Sequence, residues 1–193
     1  MKNEKYKLTE EKVFFNGVVL IQIDAEPTLL AQFPSPHRDG GMILRRKTTV
    51  DWSLSAKDPR YPYRDGIILY RIEAIADFGD VKKGDKGGFI QSEDNLSGLG
   101  ECWVYNDASV SDNAWVSGDA KVLNYARVSR AARVYGSAEV SGDSVITDNA
   151  VVSGDAKVGS QVQVRGDAKI YGKSSVRGTT GLDGFDRVWD ALI

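Results

Sequence analysis

The sequence offers one candidate for acid–base catalysis, His37 in the segment SPHRDGG. A histidine titrates near neutral pH and can act as a general base toward a group within hydrogen-bond reach. Asp39 lies two residues further on and could orient the imidazole. A lone loop histidine is more often simply solvated, so a catalytic His37 is a hypothesis. The motifs GxSxG, HExxH and the Walker loop are absent, as is a GxGxxG that follows a strand.

A second group of residues has the chemistry of anion recognition. Arginine binds phosphate through two parallel hydrogen bonds, and aromatic rings stack on planar ligands. Three consecutive corners in 123–137 depart from a regular series of SGD-like turns. The candidate binding residues lie at these corners, on the strands beside them or a multiple of eighteen residues away, and they are Trp115, Tyr125, Arg127, Arg130, Arg133, Tyr135, Lys169 and Tyr171. Whether they meet in space depends on the elements that carry them.

A six-residue repeat determines where these side chains lie. From Val104 to Val176 every sixth residue is Val or Ile, and the residue two positions earlier is small at every step except Val162. Each Ala-x-Val unit is a short strand whose first and third residues face the same side. The Gly, Asn and Asp residues between units suit the positive φ of a corner. Three strands and three corners make an eighteen-residue triangular coil, so the sequence predicts a parallel β-solenoid.

Stacking of such coils places residues eighteen apart on one face. One face is expected to carry Trp115, Arg133, Val151 and Lys169. Arg133 is then expected to lie over Trp115 as a cation–π pair, and Tyr135 and Tyr171 occupy equivalent corner positions. Two interpretations stay open. Trp, Tyr and Arg are enriched at subunit interfaces, and the same residues could bind a nucleotide, a phosphate or coenzyme A in a groove between subunits.

The repeat resembles the left-handed β-helix of the hexapeptide-repeat (trimeric LpxA-like) acyltransferase superfamily over residues 100–178. The blocks DFGDVKKGDKGGFI and SEDNLS, within 70–110, are most similar to the YdcK-like acyltransferases of bacteria and prophages. The resemblance implies an all-β, left-handed parallel β-helix that forms a homotrimer. It also implies acyl transfer with a histidine as base and coenzyme A between subunits, and His37 would be that base. Thirteen consecutive hexads without a histidine or a projecting loop depart from this pattern.

Three sections are predicted along the chain. They are an N-terminal β-rich section (1–88) with an inserted loop at about 24–66, the β-helix (89–178), and a C-terminal helix that acts as a cap (179–193). In the first section, strands are expected at 18–23, 41–46 and 67–75. The inserted loop is expected to cap the open end of the solenoid, where strand edges would otherwise be exposed.

The C-terminal helix is predicted from a change of period. Phe185, Val188, Trp189 and Leu192 follow the i, i+3, i+4, i+7 spacing of an amphipathic helix. Asp183 would serve as its N-cap.

Composition narrows the function. No run approaches eighteen apolar residues and the N-terminus lacks the apolar core of a signal peptide, so a cytoplasmic protein is expected. Cys102 is the only cysteine, which excludes an intrachain disulfide and a cysteine-based zinc site. The Asp and Asn residues at the corners are interpreted as turn formers, and no metal site is expected. A net charge of −2 argues against a general nucleic-acid binder.

We therefore expect a non-catalytic oligomeric binding protein, phage-encoded by analogy with YdcK-like proteins. It would need no cofactor and would hold a phosphate-bearing small molecule or a protein partner between subunits. The alternative is a coenzyme A-dependent acyltransferase with His37 as the base. A structural, polymer-forming solenoid is a third hypothesis, and the predicted caps argue against it.

Overall fold

A computed structural model describes residues 5–15, 20–23 and 67–192 of the chain. The chain divides into two units, Met1–Thr9 with Leu69–Ile193, and Glu10–Ile68. The inserted loop expected at about 24–66, the strand expected at 41–46, and His37 lie outside the described residues.

In the second unit the structure describes one antiparallel pair. It joins the end of β1 (Tyr6–Phe15) to β2 (Leu20–Ile23), with Lys12 opposite Ile23. Strand β2 agrees with the strand expected at 18–23.

A parallel β-helix forms most of the first unit. Its strands recur every six residues, and they are β5 (Trp103–Val104), β6 (Ser109–Val110), β7 (Trp115–Val116), β8 (Lys121–Val122), β9 (Arg127–Val128), β10 (Arg133–Val134), β11 (Glu139–Val140), β12 (Val145–Ile146), β13 (Val151–Val152), β14 (Lys157–Val158), β15 (Gln163–Val164), β16 (Lys169–Tyr171), β17 (Ser175–Val176), β18 (Gly181–Leu182) and β19 (Arg187–Trp189). Each strand from β5 to β16 pairs in parallel with the strand eighteen residues later. The coils therefore have three strands each, as the repeat predicts.

The strands form three sheets, one on each side of the triangular coil. Sheet I contains β6, β9, β12, β15 and β18; sheet II contains β7, β10, β13, β16 and β19; sheet III contains β5, β8, β11, β14 and β17. Sheet I continues beyond β6 through two strands of the N-terminal section, β4 (Lys86–Ile90) and β3 (Ile67–Ala74), to β1. Strand β4 runs parallel to β6 but antiparallel to β3, so the sheet changes from parallel to antiparallel pairing at β4.

The core is a stack of Val, Ile and small side chains inside the coils. All thirteen Val and Ile residues at six-residue steps from Val104 to Val176 are buried, which confirms the predicted inward face. Val162, the one large residue at a small-residue position, is also fully buried. Each Val contributes on the order of 1.5–3 kcal/mol through burial before the loss of chain entropy is counted. Neighbouring coils supply this burial, because one coil cannot enclose its own interior.

Left-handed backbone conformation recurs at the corners with the same period. Every sixth residue from Asn106 to Asp190 has a positive φ. At Gly136, where φ is 74°, an added Cβ would lie 2.9 Å from the backbone nitrogen of Gly154 in the next coil. The expectation that Gly, Asn and Asp supply the corners is confirmed at all of these positions except Arg130 and Ser160. Arg130, with φ of 61°, holds this conformation with a long side chain.

Two aromatic residues of the first unit, Tyr6 and Phe78, pack on the first strand of sheet III. Trp103 occupies an outward position, yet only 1% of its surface is exposed. Phe78 and Tyr6 cover it in edge-on contacts, with ring centroids 5.3 Å and 6.2 Å away. A 3₁₀ turn at Glu93–Asn95 follows β4.

A charged cluster fixes the loop before β4 to sheet III. The hydroxyl of Tyr105 donates a hydrogen bond of 2.7 Å to Asp80, and the Lys121 ammonium lies 3.0 Å from both oxygens of the same carboxylate. These two hydrogen bonds lower the pKa of Asp80. Burial, followed by the hydrogen bond to the Asp80 carboxylate, raises the pKa of Tyr105.

The prediction of a C-terminal helix is wrong. Strands β18 and β19 continue the six-residue repeat, and their inward residues Leu182 and Val188 are 9% and 5% exposed. Phe185, Trp189 and Leu192, which suggested helical spacing, are 80%, 66% and 86% exposed. Their apolar character therefore does not mark a buried helix face, and the parallel pairing of β19 with β16 decides the local structure. No helix caps this end of the solenoid within the described residues.

None of the helical segments in the described residues is long and apolar enough to cross a membrane.

Candidate functional site

The outer face of sheet II brings several predicted binding residues into one column. The column contains, one per coil, Trp115, Arg133, Val151, Lys169 and Arg187. The residue after each one points into the core, so these five point outward. Adjacent members lie on strands about 4.8 Å apart. The register of the first four is as predicted, and Arg187 is an addition to them.

A concavity of about 400 Å³ lies on this face. The column side of it is formed by Arg133, Val151, Lys169 and Arg187, and the corner side by Ala131, Asn149, Asp167 and Phe185. Val151 is short and has a long cationic residue on the coil at either side. The depression therefore arises because the short Val151 lies between the long side chains of Arg133 and Lys169. We call this surface the sheet II groove.

The groove carries unbalanced positive charge. Within the described residues, no carboxylate lies at ion-pair distance from Arg133, Lys169 or Arg187, whereas some other cations of the β-helix, such as Lys121, are paired. Arg130, for example, binds Asp148 at 2.5 Å. The one carboxylate that lines the groove is Asp167, which accepts a 3.0 Å hydrogen bond from the Asn149 amide.

A second column, of aromatic and small residues, runs beside the cations. Two residues after each member of the first column lie Ser117, Tyr135, Ser153, Tyr171 and Trp189. The rings of Tyr171 and Trp189 are stacked, with centroids 6.0 Å apart and planes inclined by 21°. Trp189 nevertheless exposes 66% of its surface, and Tyr135 exposes 40%. Aromatic surface is thus available directly beside the cationic column.

The structure does not bring the other three predicted binding residues to this groove. Tyr125 lies at the corner between sheets III and I and is 58% exposed. Arg127 belongs to sheet I. Arg130 lies at the corner between sheets I and II, where its guanidinium is bound to Asp148 and its backbone N–H donates to Asp112. Residues six apart in the sequence lie on successive faces of the coil, so these residues are close in sequence but separated in space.

The expected stacking of Arg133 on Trp115 is not formed. In residues 67–192 the cation–π contacts join Arg71 to Phe89 and Lys121 to Tyr105. Trp115 and Arg133 are neighbours in the column without this geometry. Sequence reasoning also missed Arg187 and Trp189, because both were assigned to a helix. The continuation of the six-residue step through Leu182 and Val188 is the signal that could have placed them.

The described residues contain no group of three or more His, Cys, Asp or Glu side chains able to hold a metal ion. The catalytic candidate His37 lies outside the part of the chain that the structure describes.

Comparison with known proteins gives one weak similarity. No protein-family model matches the chain. A protein of Escherichia coli (strain K12) described as an uncharacterized acetyltransferase, YdcK, is 32% identical over 65 residues, which amount to 31% of this chain and 20% of that protein. The chain thus spans about a fifth of the length of this relative. Together with the parallel β-helix, the similarity fits the hexapeptide-repeat superfamily.

Proposed function

We propose that this protein binds a phosphate-bearing small molecule in the sheet II groove and does not transform it. The observation that carries the proposal is the column of Arg133, Lys169 and Arg187, which has no carboxylate partner within the described residues. Cations without partners are costly to bring together, since like charges repel each other. An anionic ligand would remove that cost.

The shape of the groove supports an anion of limited size. Arg133 and Lys169 lie two coils apart, about 9–10 Å along the sheet, with Val151 between them. Long side chains from both coils can converge over the short Val151. A phosphate group there would receive the forked hydrogen bonds of an arginine and the charge of a lysine. The residues at the corner, Asn149 and Asp167, would limit how far the ligand extends.

Isothermal titration with inorganic tripolyphosphate at low ionic strength tests this proposal. We expect saturable binding to the unaltered protein and at least a tenfold loss of affinity in Arg133→Gln or Lys169→Gln, since each removes a charged hydrogen bond. Lys157→Gln is the matched control, because Lys157 occupies the equivalent outward position on sheet III and is exposed. Equal affinities of Lys169→Gln and Lys157→Gln would exclude the groove as the site.

A second candidate function is acyl transfer from acyl coenzyme A. The similarity to a protein described as an acetyltransferase favours it, and His37 would be the general base. This function predicts that the protein releases coenzyme A from acetyl coenzyme A in the presence of an acceptor, and that His37→Ala abolishes the release. The binding function predicts no release, and an unchanged tripolyphosphate affinity in His37→Ala.

Both functions are compatible with a homotrimer whose ligand lies between subunits. Native mass spectrometry of the purified chain, before and after addition of acetyl coenzyme A, measures the subunit number and any bound mass. A trimer that takes up as many as three acetyl coenzyme A molecules would favour the acyltransferase. A closed oligomer that takes up none would favour the binding protein.

A further inference from the structure

We infer that the ligand of the sheet II groove is a nucleoside phosphate, whose base lies against Trp189 and whose phosphates lie on the cationic column. This inference rests on the proposed function and specifies its ligand. The inference is drawn from the two columns of sheet II. On each strand, the member of the second column lies two residues after the member of the first.

The geometry of the last two coils pairs a cation with an aromatic ring on each strand. In β16 these are Lys169 and Tyr171, and in β19 they are Arg187 and Trp189. The two strands are in register, so cation lies opposite cation and ring opposite ring. Outward residues two apart on a strand are separated by about 6.6 Å. This separation is comparable to that between the phosphate and the base of a mononucleotide.

The position of Trp189 is fixed by its surroundings. One side of the indole stacks on Tyr171. An added Cβ at Gly172 would lie 2.5 Å from Trp189 Cδ1, so the absence of a side chain there makes room for the ring. The ring is therefore held in place while most of its surface stays exposed. A platform that is ordered before binding loses little side-chain entropy when a base stacks on it.

The same cation–ring pairing appears once more on the face. Arg133 and Tyr135 form a third pair, and the coil between them and the Lys169 pair carries only Val151 and Ser153. The groove lies over this smaller coil. A ligand with several phosphates can therefore extend from Trp189 along Arg187 and Lys169 toward Arg133. An inorganic phosphate has no aromatic group that could stack on the exposed rings.

The test compares ATP with inorganic tripolyphosphate on the full chain by isothermal titration. Stacking of a base on an aromatic side chain is expected to make ATP bind about tenfold more tightly than tripolyphosphate. Trp189→Ala should remove this preference and leave the affinity for tripolyphosphate unchanged, and Trp189→Phe should retain most of it. Tyr125→Ala is the control, because Tyr125 is an exposed ring at a different corner.

The outcomes separate this inference from the proposed function. If the unaltered protein binds ATP and tripolyphosphate equally, or if Trp189→Ala keeps the preference, the inference is overturned while the anion-binding function stands. If neither compound binds, both fail. If Trp189→Ala also loses tripolyphosphate, far-ultraviolet circular dichroism decides the cause. If Trp189→Ala is folded, the loss contradicts the assignment of the base to Trp189. If Trp189→Ala is unfolded, the preference of Trp189→Phe for ATP over tripolyphosphate decides instead, and its absence would overturn the inference.

Discussion

Replacement of Gly136 by alanine is expected to destabilise the β-helix by an amount that the corner geometry determines. The φ of 74° puts an L-residue in the left-handed region, which costs about 1–2 kcal/mol. In addition, the new Cβ would lie 2.9 Å from the nitrogen and 3.0 Å from the oxygen of Gly154. Both are backbone atoms of the next coil, and the oxygen accepts a hydrogen bond from Ser137 N–H, so relief of the contact requires a shift of the stack. Such overpacking adds roughly 1–3 kcal/mol, for a total of about 2–5 kcal/mol.

Gly178→Ala separates the two contributions. Gly178 has φ of 89°, yet an added Cβ there would meet nothing within 4 Å. This variant carries at least as much backbone strain as Gly136→Ala but no contact with the next coil. We expect urea denaturation, followed by circular dichroism, to show Gly136→Ala less stable than Gly178→Ala by about 1–3 kcal/mol. Equal losses would refute the close approach of successive corners.

Three further variants test the cluster at Asp80, the rim of the groove and the core. Because Tyr105 and Lys121 lower the pKa of Asp80, the stability they contribute is present above about pH 4 and is lost as the pH falls through the lowered pKa. Urea midpoints of Asp80→Asn should thus lie below those of the unaltered protein at pH 7 and approach them at pH 3, and a difference independent of pH would contradict this. Asp167→Asn removes the one carboxylate that lines the groove, so titration should show a several-fold gain in tripolyphosphate affinity, and no gain would indicate that the anion lies elsewhere. Val152→Ala empties part of a fully buried position and should lower the free energy of unfolding by about 2–4 kcal/mol, whereas a loss under 1 kcal/mol would contradict tight packing between coils.

The core and the corners could be predicted because one short period controls both. Every sixth inward residue from Val104 to Val176 is Val or Ile, and the corner residues admit a positive φ at the same step. The eighteen-residue step also predicted that Arg133 and Lys169 share a face. The same period explains why Arg127 does not join them, because a step of six moves a residue to the next sheet.

Two parts of the site could not be derived correctly from the pattern. The four apolar residues Phe185, Val188, Trp189 and Leu192 fit a helix by spacing, but only Val188 is buried. Pairing with the preceding coil outweighs a local period of this length, since it satisfies the backbone of an entire strand. The pairing of cations with rings became visible only once Arg187 and Trp189 were assigned to the same strand, β19.

The most direct test of the groove is methyl NMR of the valines during titration with tripolyphosphate. Val151 forms the floor between Arg133 and Lys169, and Val145 occupies the same outward position on sheet I. A ligand in the sheet II groove should shift the Val151 methyl resonances in a saturable way and leave those of Val145 unchanged. Saturable binding that leaves Val151 unshifted, or that shifts Val145 instead, would contradict the groove as the site of function.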